Sequence, residues 1–173
     1  MARSFRLTAD GGSRGNPGPA GYGAVVTEGG KIVAELFDVI GVATNNVAEY
    51  SGLLAGLSHI HQLDAQATVE VAMDSKLVVE QMSGRWQIKH ADMRDLAKQC
   101  RAAHDPSLVT YSWIPRDENS HADRLANKAL DGGSAHKPIA VVQQNFLTDR
   151  LRSAEVPTFI YFIRHGETVL TPE

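Results

Sequence analysis

Apolar and polar residues alternate from Ser4 to Asp10, with Phe5, Leu7 and Ala9 on one side and Arg6, Thr8 and Asp10 on the other. That period of two predicts a strand with Asp10 on its polar face. The run GGSRGNPGP then turns the chain, and GYGAVVTEGGKIVAELFDVIG reads as two strands around a hairpin near Glu28-Gly29-Gly30. An antiparallel three-stranded meander therefore opens the fold. From Asn45 to about Leu63 the period becomes helical, with Tyr50, Leu53, Leu54, Leu57, Ile60 and His61 sharing a side and Thr44, Asn45 or Asn46 able to cap the start. Gly52 and Gly56 in this helix cost about 1 kcal/mol each relative to alanine, which makes sense where a helix approaches a sheet or a substrate closely.

ATVEVAMD reads as a short strand ending at Asp74, SKLVVEQMSG as a brief helix stopped by Gly84, and 92–104 as a further helix. LVTYSWI is a strand broken by Pro115, with Trp113 expected in the core, and 119–130 is a final helix. The order β-β-β-α-β-α-α-β-α predicts an α/β fold, a mixed five-stranded sheet flanked by helices, its first three strands antiparallel.

The length of 173 residues supports one good core with a tail left over. A single cysteine, Cys100, excludes an intramolecular disulfide framework and a multi-cysteine zinc site. No signal-type segment opens the chain and no run of about 18 apolar residues occurs, so a cytoplasmic protein without a membrane partner is expected. The net charge of −3 conceals an asymmetry: Ser75 to Arg101 holds six Lys/Arg against three acids. A basic stretch beside a group of acids suits a protein that holds a polyanion by its phosphates.

The acids that matter stand in distinctive settings: Asp10 in LTADGGSRGNPGPAGYG, Glu49 in TNNVAEYSGLLAGL, Asp74 in VAMDSKLVVE and Asp123 in WIPRDENSHADRLANKA. Carboxylates steered toward one end of an apolar core repel one another unless a cation binds them. Oxygen-only ligands point to Mg²⁺ or Mn²⁺ rather than Zn²⁺. Over residues 3–131 these motifs, DGGSRGNPGPAGYG, TNNVAEYSGL, DSKLV and an NxxADxLA pattern starting at Asn119, resemble bacterial type 1 ribonuclease H, which cuts the RNA strand of RNA/DNA hybrids.

The resemblance implies the ribonuclease H-like fold and hydrolysis with two Mg²⁺ ions, Mn²⁺ substituting, to give 5′-phosphate and 3′-hydroxyl ends. It makes Asp10 the bridging ligand, puts Asp123 on the side of the attacking water, and places Glu49 and Asp74 on the leaving-group side. It also lays Asn16, Asn45, Asn46, Glu49 and the backbone at Gly11 along the hybrid's minor groove, where 2′-hydroxyls distinguish RNA from DNA. Thr44 with Asn16 resembles a pocket for a DNA phosphate, and Lys76 stands where a glutamine is common. A monomer suffices.

Two departures stand out. In place of a long basic protrusion the chain has MSGRWQIKHADMRDL, in which Trp86 is left to stack on a sugar or wedge between helices. The loop WIPRDEN lacks the histidine that many relatives carry; His121 is a poor stand-in and Arg116 a better candidate for touching phosphate. Two other readings compete: another nuclease of the broad fold, for which Asp10-Gly11-Gly12 lacks the DxE mark, and an inactive RNA/DNA hybrid-binding module, in which the acids would be incomplete.

After about Gly133 the character changes. The expected organisation is a ribonuclease H domain over 1–133, a linker over 134–157, and a strand-like TFIYFI leading into RHGET over 158–173. RHGE resembles the opening motif of the histidine phosphatase superfamily, which implies phosphoryl acceptance by His165 and phosphoryl binding by Arg164. Eight residues follow His165, so no phosphatase activity is expected of this chain. The pair of resemblances implies the N-terminal part of a bifunctional ribonuclease H/acid phosphatase.

Overall fold

The computed structural model describes residues 3–132; the linker and the Arg164–His165 motif lie outside the described residues. Five strands form one sheet in the order β3-β2-β1-β4-β5: β1 (Ser4–Ser13), β2 (Gly18–Glu28), β3 (Lys31–Ala43), β4 (Thr68–Met73) and β5 (Val109–Trp113). β1, β2 and β3 pair antiparallel, whereas β4 joins β1, and β5 joins β4, in parallel. The helices are α1 (Asn45–Leu63), α2 (Lys76–Met82), α3 (Ala91–Ala103) and α4 (Ser120–Leu130), so the predicted order and mixed sheet are both present.

α1 packs on one face of the sheet and α3 packs on α1, which buries α1 on more than one side. Tyr50, Leu53, Leu54, Leu57 and Ile60 join Leu7, Tyr22, Val71 and Met73 in the main core. His61 stays exposed in the last turn. Close approach to the sheet explains the helix glycines. A Cβ on Gly56 would run into the side chain of Leu7, and one on Gly52 would sit 3.2 Å from the Asp10 carbonyl. α4 covers the opposite face through a smaller cluster of Val25, Phe37, Ala122, Leu125 and Ala129.

Two local expectations need correction. β1 continues three residues past Asp10, with Gly11, Gly12 and Ser13 paired to Tyr22, Gly21 and Ala20, so the turn starts only at Arg14. Pairing with β2 overrides the poor strand propensity of the glycines. Trp113 is not in the core: it is 47% exposed. β5 is an edge strand whose apolar packing is carried by Val109 and Tyr111, and Trp113 ends it.

Among the described residues no helix is long and apolar enough to cross a membrane.

Candidate active site

β1 and β4 run parallel and adjacent, so the residues at their carboxyl ends emerge side by side. This juxtaposes Asp10 on β1 with Asp74, which follows β4 directly. Glu49 comes from the first turns of α1 and Asp123 from the first turn of α4, one helix on each face of the sheet. Gly11 lets α1 reach this end of β1, because a Cβ there would overlap the backbone of Ala48 and Glu49. Asp10 is only 8% exposed.

Asp10 feels the crowding most. Its carboxyl is pushed up to about 8, first by burial, then by the charge of Asp74 and a proton-sharing contact with Asp123. The Gly11 N–H, donated to Asp10 Oδ1 at 2.9 Å, opposes that shift only in part. Burial also raises Glu49 to about 7; the hydroxyl of Ser75 opposes this, the charge of Asp74 adds to it, and Arg116 opposes it from a distance.

Each acid is oriented by a neighbour. Ser75, the N-cap of α2, accepts from the Val78 N–H at 3.3 Å and donates its hydroxyl to Glu49 Oε1 at 2.9 Å. Asn119 Nδ2 donates to Asp74 Oδ1 at 2.7 Å and to the Ala9 carbonyl at 2.9 Å. Both partners are acceptors, so the amide can face them only with its nitrogen, and Asn119 Oδ1 is buried without a partner among the described residues. The sequence reading placed Asn119 in a motif but gave it no role; its N-cap position was the available signal, and it makes no side-chain cap bond.

A second group lies where β1 turns and α1 begins. Thr44 caps α1, accepting from the Val47 N–H at 3.2 Å. Asn16 Oδ1 accepts from the Asn45 N–H at 3.0 Å, and Asn45 Oδ1 accepts from the Ser13 N–H at 2.8 Å. Their carbonyl oxygens are thereby committed to the backbone, while the amide N–H₂ groups keep their donor capacity. Asn46 is half-buried in the same turn.

On the other flank, the Trp113 indole N–H donates to the Asp74 carbonyl at 3.1 Å, and Lys76 Nζ stands 5.7 Å from the centre of its ring. Sequence reasoning had Lys76 but not Trp113. Arg116 is exposed, close enough for its charge to act on Glu49. Trp86 is 46% exposed beyond α2, its backbone N–H bonded to the Glu80 carbonyl at 3.1 Å, so it is not buried as a wedge between helices. His121 pairs with Glu35 at 2.7 Å.

An all-oxygen donor set, two members of which are held above the usual carboxyl range, fits hard divalent cations. Among the described residues no three His, Cys, Asp or Glu side chains are already closed around one point.

Residues 8–129 match the family described as "Reverse transcriptase-like". The chain is 46% identical over 177 residues to a bifunctional protein of Mycobacterium tuberculosis, covering 96% of this chain and 48% of that relative. The N-terminal RNase H domain of that mycobacterial protein, solved as a fusion with maltose-binding protein, superposes with a TM-score of 0.71 at 52% identity, over 76% of this chain and 96% of the other. This chain belongs to the ribonuclease H family. A further family member, LC11-RNase H1 isolated from compost and solved in complex with an RNA/DNA hybrid, is 36% identical with a TM-score of 0.69, covering 74% of this chain and 97% of that one. The ribonuclease H chain described here spans about half the length of its mycobacterial relative.

Proposed function

We propose that residues 3–132 are a metal-dependent endonuclease that hydrolyses the RNA strand of RNA/DNA hybrids. One observation carries this reading most directly. Asp10, Glu49, Asp74 and Asp123 come from a strand, a strand end and two helices, yet the parallel β1–β4 pairing sets Asp10 beside Asp74, the close contact at Gly11 seats Glu49 against β1, and Asn119, at the start of the helix that carries Asp123, bonds Asp74. Family membership and the likeness to a hybrid-bound relative support it.

In this reading Asp10, Glu49, Asp74 and Asp123 would hold two divalent ions, Mg²⁺ or Mn²⁺. Bound there, the ions supply the charge that activates water and stabilises the leaving 3′ oxygen. The protein's own part is to preorganise. Asn119 fixes Asp74, Ser75 fixes Glu49, and the tight β1–α1 contact at Gly11 sets the distance between Asp10 and Glu49. Asn16, Asn45, Asn46 and the backbone at Gly11 line the approach, where amide groups can read 2′-hydroxyls. Thr44 with Asn16 serves a DNA phosphate; Lys76 and Arg116 add positive charge beside the acids. Trp86, far along the basic segment, is left as an outer contact. The remaining chain, 134–173, we read as a linker and the start of a histidine phosphatase domain carrying Arg164 and His165, in a cytoplasmic, monomeric protein.

The test is to incubate the wild-type chain and an Asp74→Asn variant with a labelled RNA/DNA hybrid, double-stranded RNA and duplex DNA, each with Mg²⁺, Mn²⁺ or EDTA. Metal-dependent cutting confined to the RNA of the hybrid, and lost in Asp74→Asn, is expected. Wild-type protein that binds hybrid but leaves it intact under every metal condition would make this a binding module.

A further inference from the structure

The far end of α1 carries a second convergence of metal-ligating groups, which the nuclease reading does not use. His61 is in the last turn of α1, about 18 Å along the helix axis from Glu49. His104 ends α3 and is 2% exposed. Their Nδ1 atoms are 3.3 Å apart, and the two rings stand at 84°.

His104 Nε2 lies 2.7 Å from the Ala67 carbonyl oxygen. A carbonyl can only accept, so Nε2 carries the proton, and in the neutral ring Nδ1 presents a lone pair toward His61. A backbone carbonyl that fixes the tautomer from behind is the usual support of a metal-binding histidine. Two imidazole nitrogens on one tetrahedral ion, each at 2.0–2.1 Å, are separated by about 3.3–3.4 Å. The observed separation matches that value with both rings in place. Without an ion the same geometry is a hydrogen bond from His61 Nδ1–H to His104.

The surroundings favour a cation. Asp64, three residues after His61, and Asp105, next to His104, put two carboxylates beside the pair in the chain. Asp64 is itself anchored, accepting the N–H groups of Arg3 at 3.1 Å and Gln66 at 3.0 Å. His61 is exposed, which leaves room for water to complete the coordination. Cys100, one turn before His104, is buried with its thiol on the Tyr50 carbonyl at 3.9 Å. The site thus offers two protein ligands, which makes it exchangeable and selective for ions that prefer imidazole to carboxylate.

We propose that His61 and His104 form a second metal site, for a borderline divalent ion such as Zn²⁺ or Ni²⁺, that clamps the end of α1 to the end of α3. The clamp would act on stability, leaving the carboxylate centre and its Mg²⁺ chemistry alone.

The experiment is calorimetric titration of Ni²⁺ into untagged, metal-free protein held in excess Mg²⁺, using wild type, an Asp10→Asn/Asp74→Asn double variant, and His61→Gln. One Ni²⁺ per chain is expected in the first two and none in the third, with a rise in Tm of a few degrees at tenfold excess over Kd. His61→Gln keeps its Mg²⁺-supported activity on hybrids. Equal Ni²⁺ binding by wild type and His61→Gln, or no binding by the double variant, overturns the proposal. Side-chain nitrogen NMR of the wild type with Zn²⁺ needs no variant: the Nδ1 signals of His61 and His104 should move, and movement confined to other histidines overturns it as well.

Discussion

Replacing Asn119 by alanine tests whether the carboxylates depend on a buried amide for their placement. The substitution removes a neutral hydrogen bond to the Ala9 carbonyl and a charge-assisted one to Asp74. These are worth about 0.5–1.5 and 1.5–3 kcal/mol. Losing the unpartnered Asn119 Oδ1 returns something on the order of 1 kcal/mol, so a net loss of about 1–3.5 kcal/mol is expected. For a domain of this size that lowers Tm by about 5–15 °C. The catalytic consequence is separate. Asp74 loses the donor that holds Oδ1, and a displacement near 1 Å costs about 10²-fold in rate. Because Asn119 is 2% exposed, it does not meet the substrate, and KM should hardly change.

The assay is steady-state cleavage of a short labelled hybrid at 25 °C, where the variant is still folded, alongside thermal unfolding. Asn119→Asp is the informative companion: the same shape with a carboxylate facing Asp74 should be at least as inactive. A kcat within about twofold of wild type for Asn119→Ala would refute the positioning role. A raised KM with unchanged kcat would instead put Asn119 in contact with the hybrid.

Three further outcomes follow from the same structure. Asp10 and Glu49 sit at about 8 and 7 when folded, above their values in an unfolded chain, so the metal-free native state binds more protons than the unfolded state between about pH 4 and 8. Their stabilising contribution is therefore complete below about pH 4 and is lost as pH rises through 7 and 8. Unfolding in EDTA should show Asp10→Asn more stable than wild type at pH 8 by more than about 1 kcal/mol, and Mg²⁺ should narrow that gap. Gly56→Ala forces a methyl against Leu7, costing about 1–3 kcal/mol by overpacking, of which the better helix propensity returns up to about 1; urea denaturation should show a lowered midpoint. Lys76→Gln should weaken hybrid binding and reduce the slope of log K against log salt by about 1 in fluorescence anisotropy, if Lys76 neutralises one phosphate.

What could be read from the chain, and what could not, divides along physical lines. Strand alternation, the helical period from Asn45 and the acids' motif neighbourhoods are local, and the periodicities led to the right elements. Gly52 and Gly56 signalled close approach before any partner was known, because an uncompensated helix penalty has to be offset by packing. Trp113 was misjudged because its setting depends on which strand lies at an edge. Trp113 looked like core because its strand is apolar, and period alone cannot distinguish an edge strand from a central one.

Asn119 was hidden for a different reason. Its position at the start of a helix already has a common local use, the N-cap, and nothing local says that its side chain turns instead to β1 and Asp74, 110 and 45 residues away in sequence. The same holds for Ser75, which caps α2 and orients Glu49 with one hydroxyl. A basic side chain bonded directly to an acid that must bind a cation would compete with that cation for it and offset its charge. Neutral donors such as an amide, a hydroxyl or a backbone N–H orient it and leave that charge in place. Among the described residues Asp10, Glu49 and Asp74 take such donors from Gly11, Ser75 and Asn119, and Arg116 is exposed. Within a carboxylate cluster of this kind, the polar neutral residues that look like caps are therefore the ones whose substitution should be tried first.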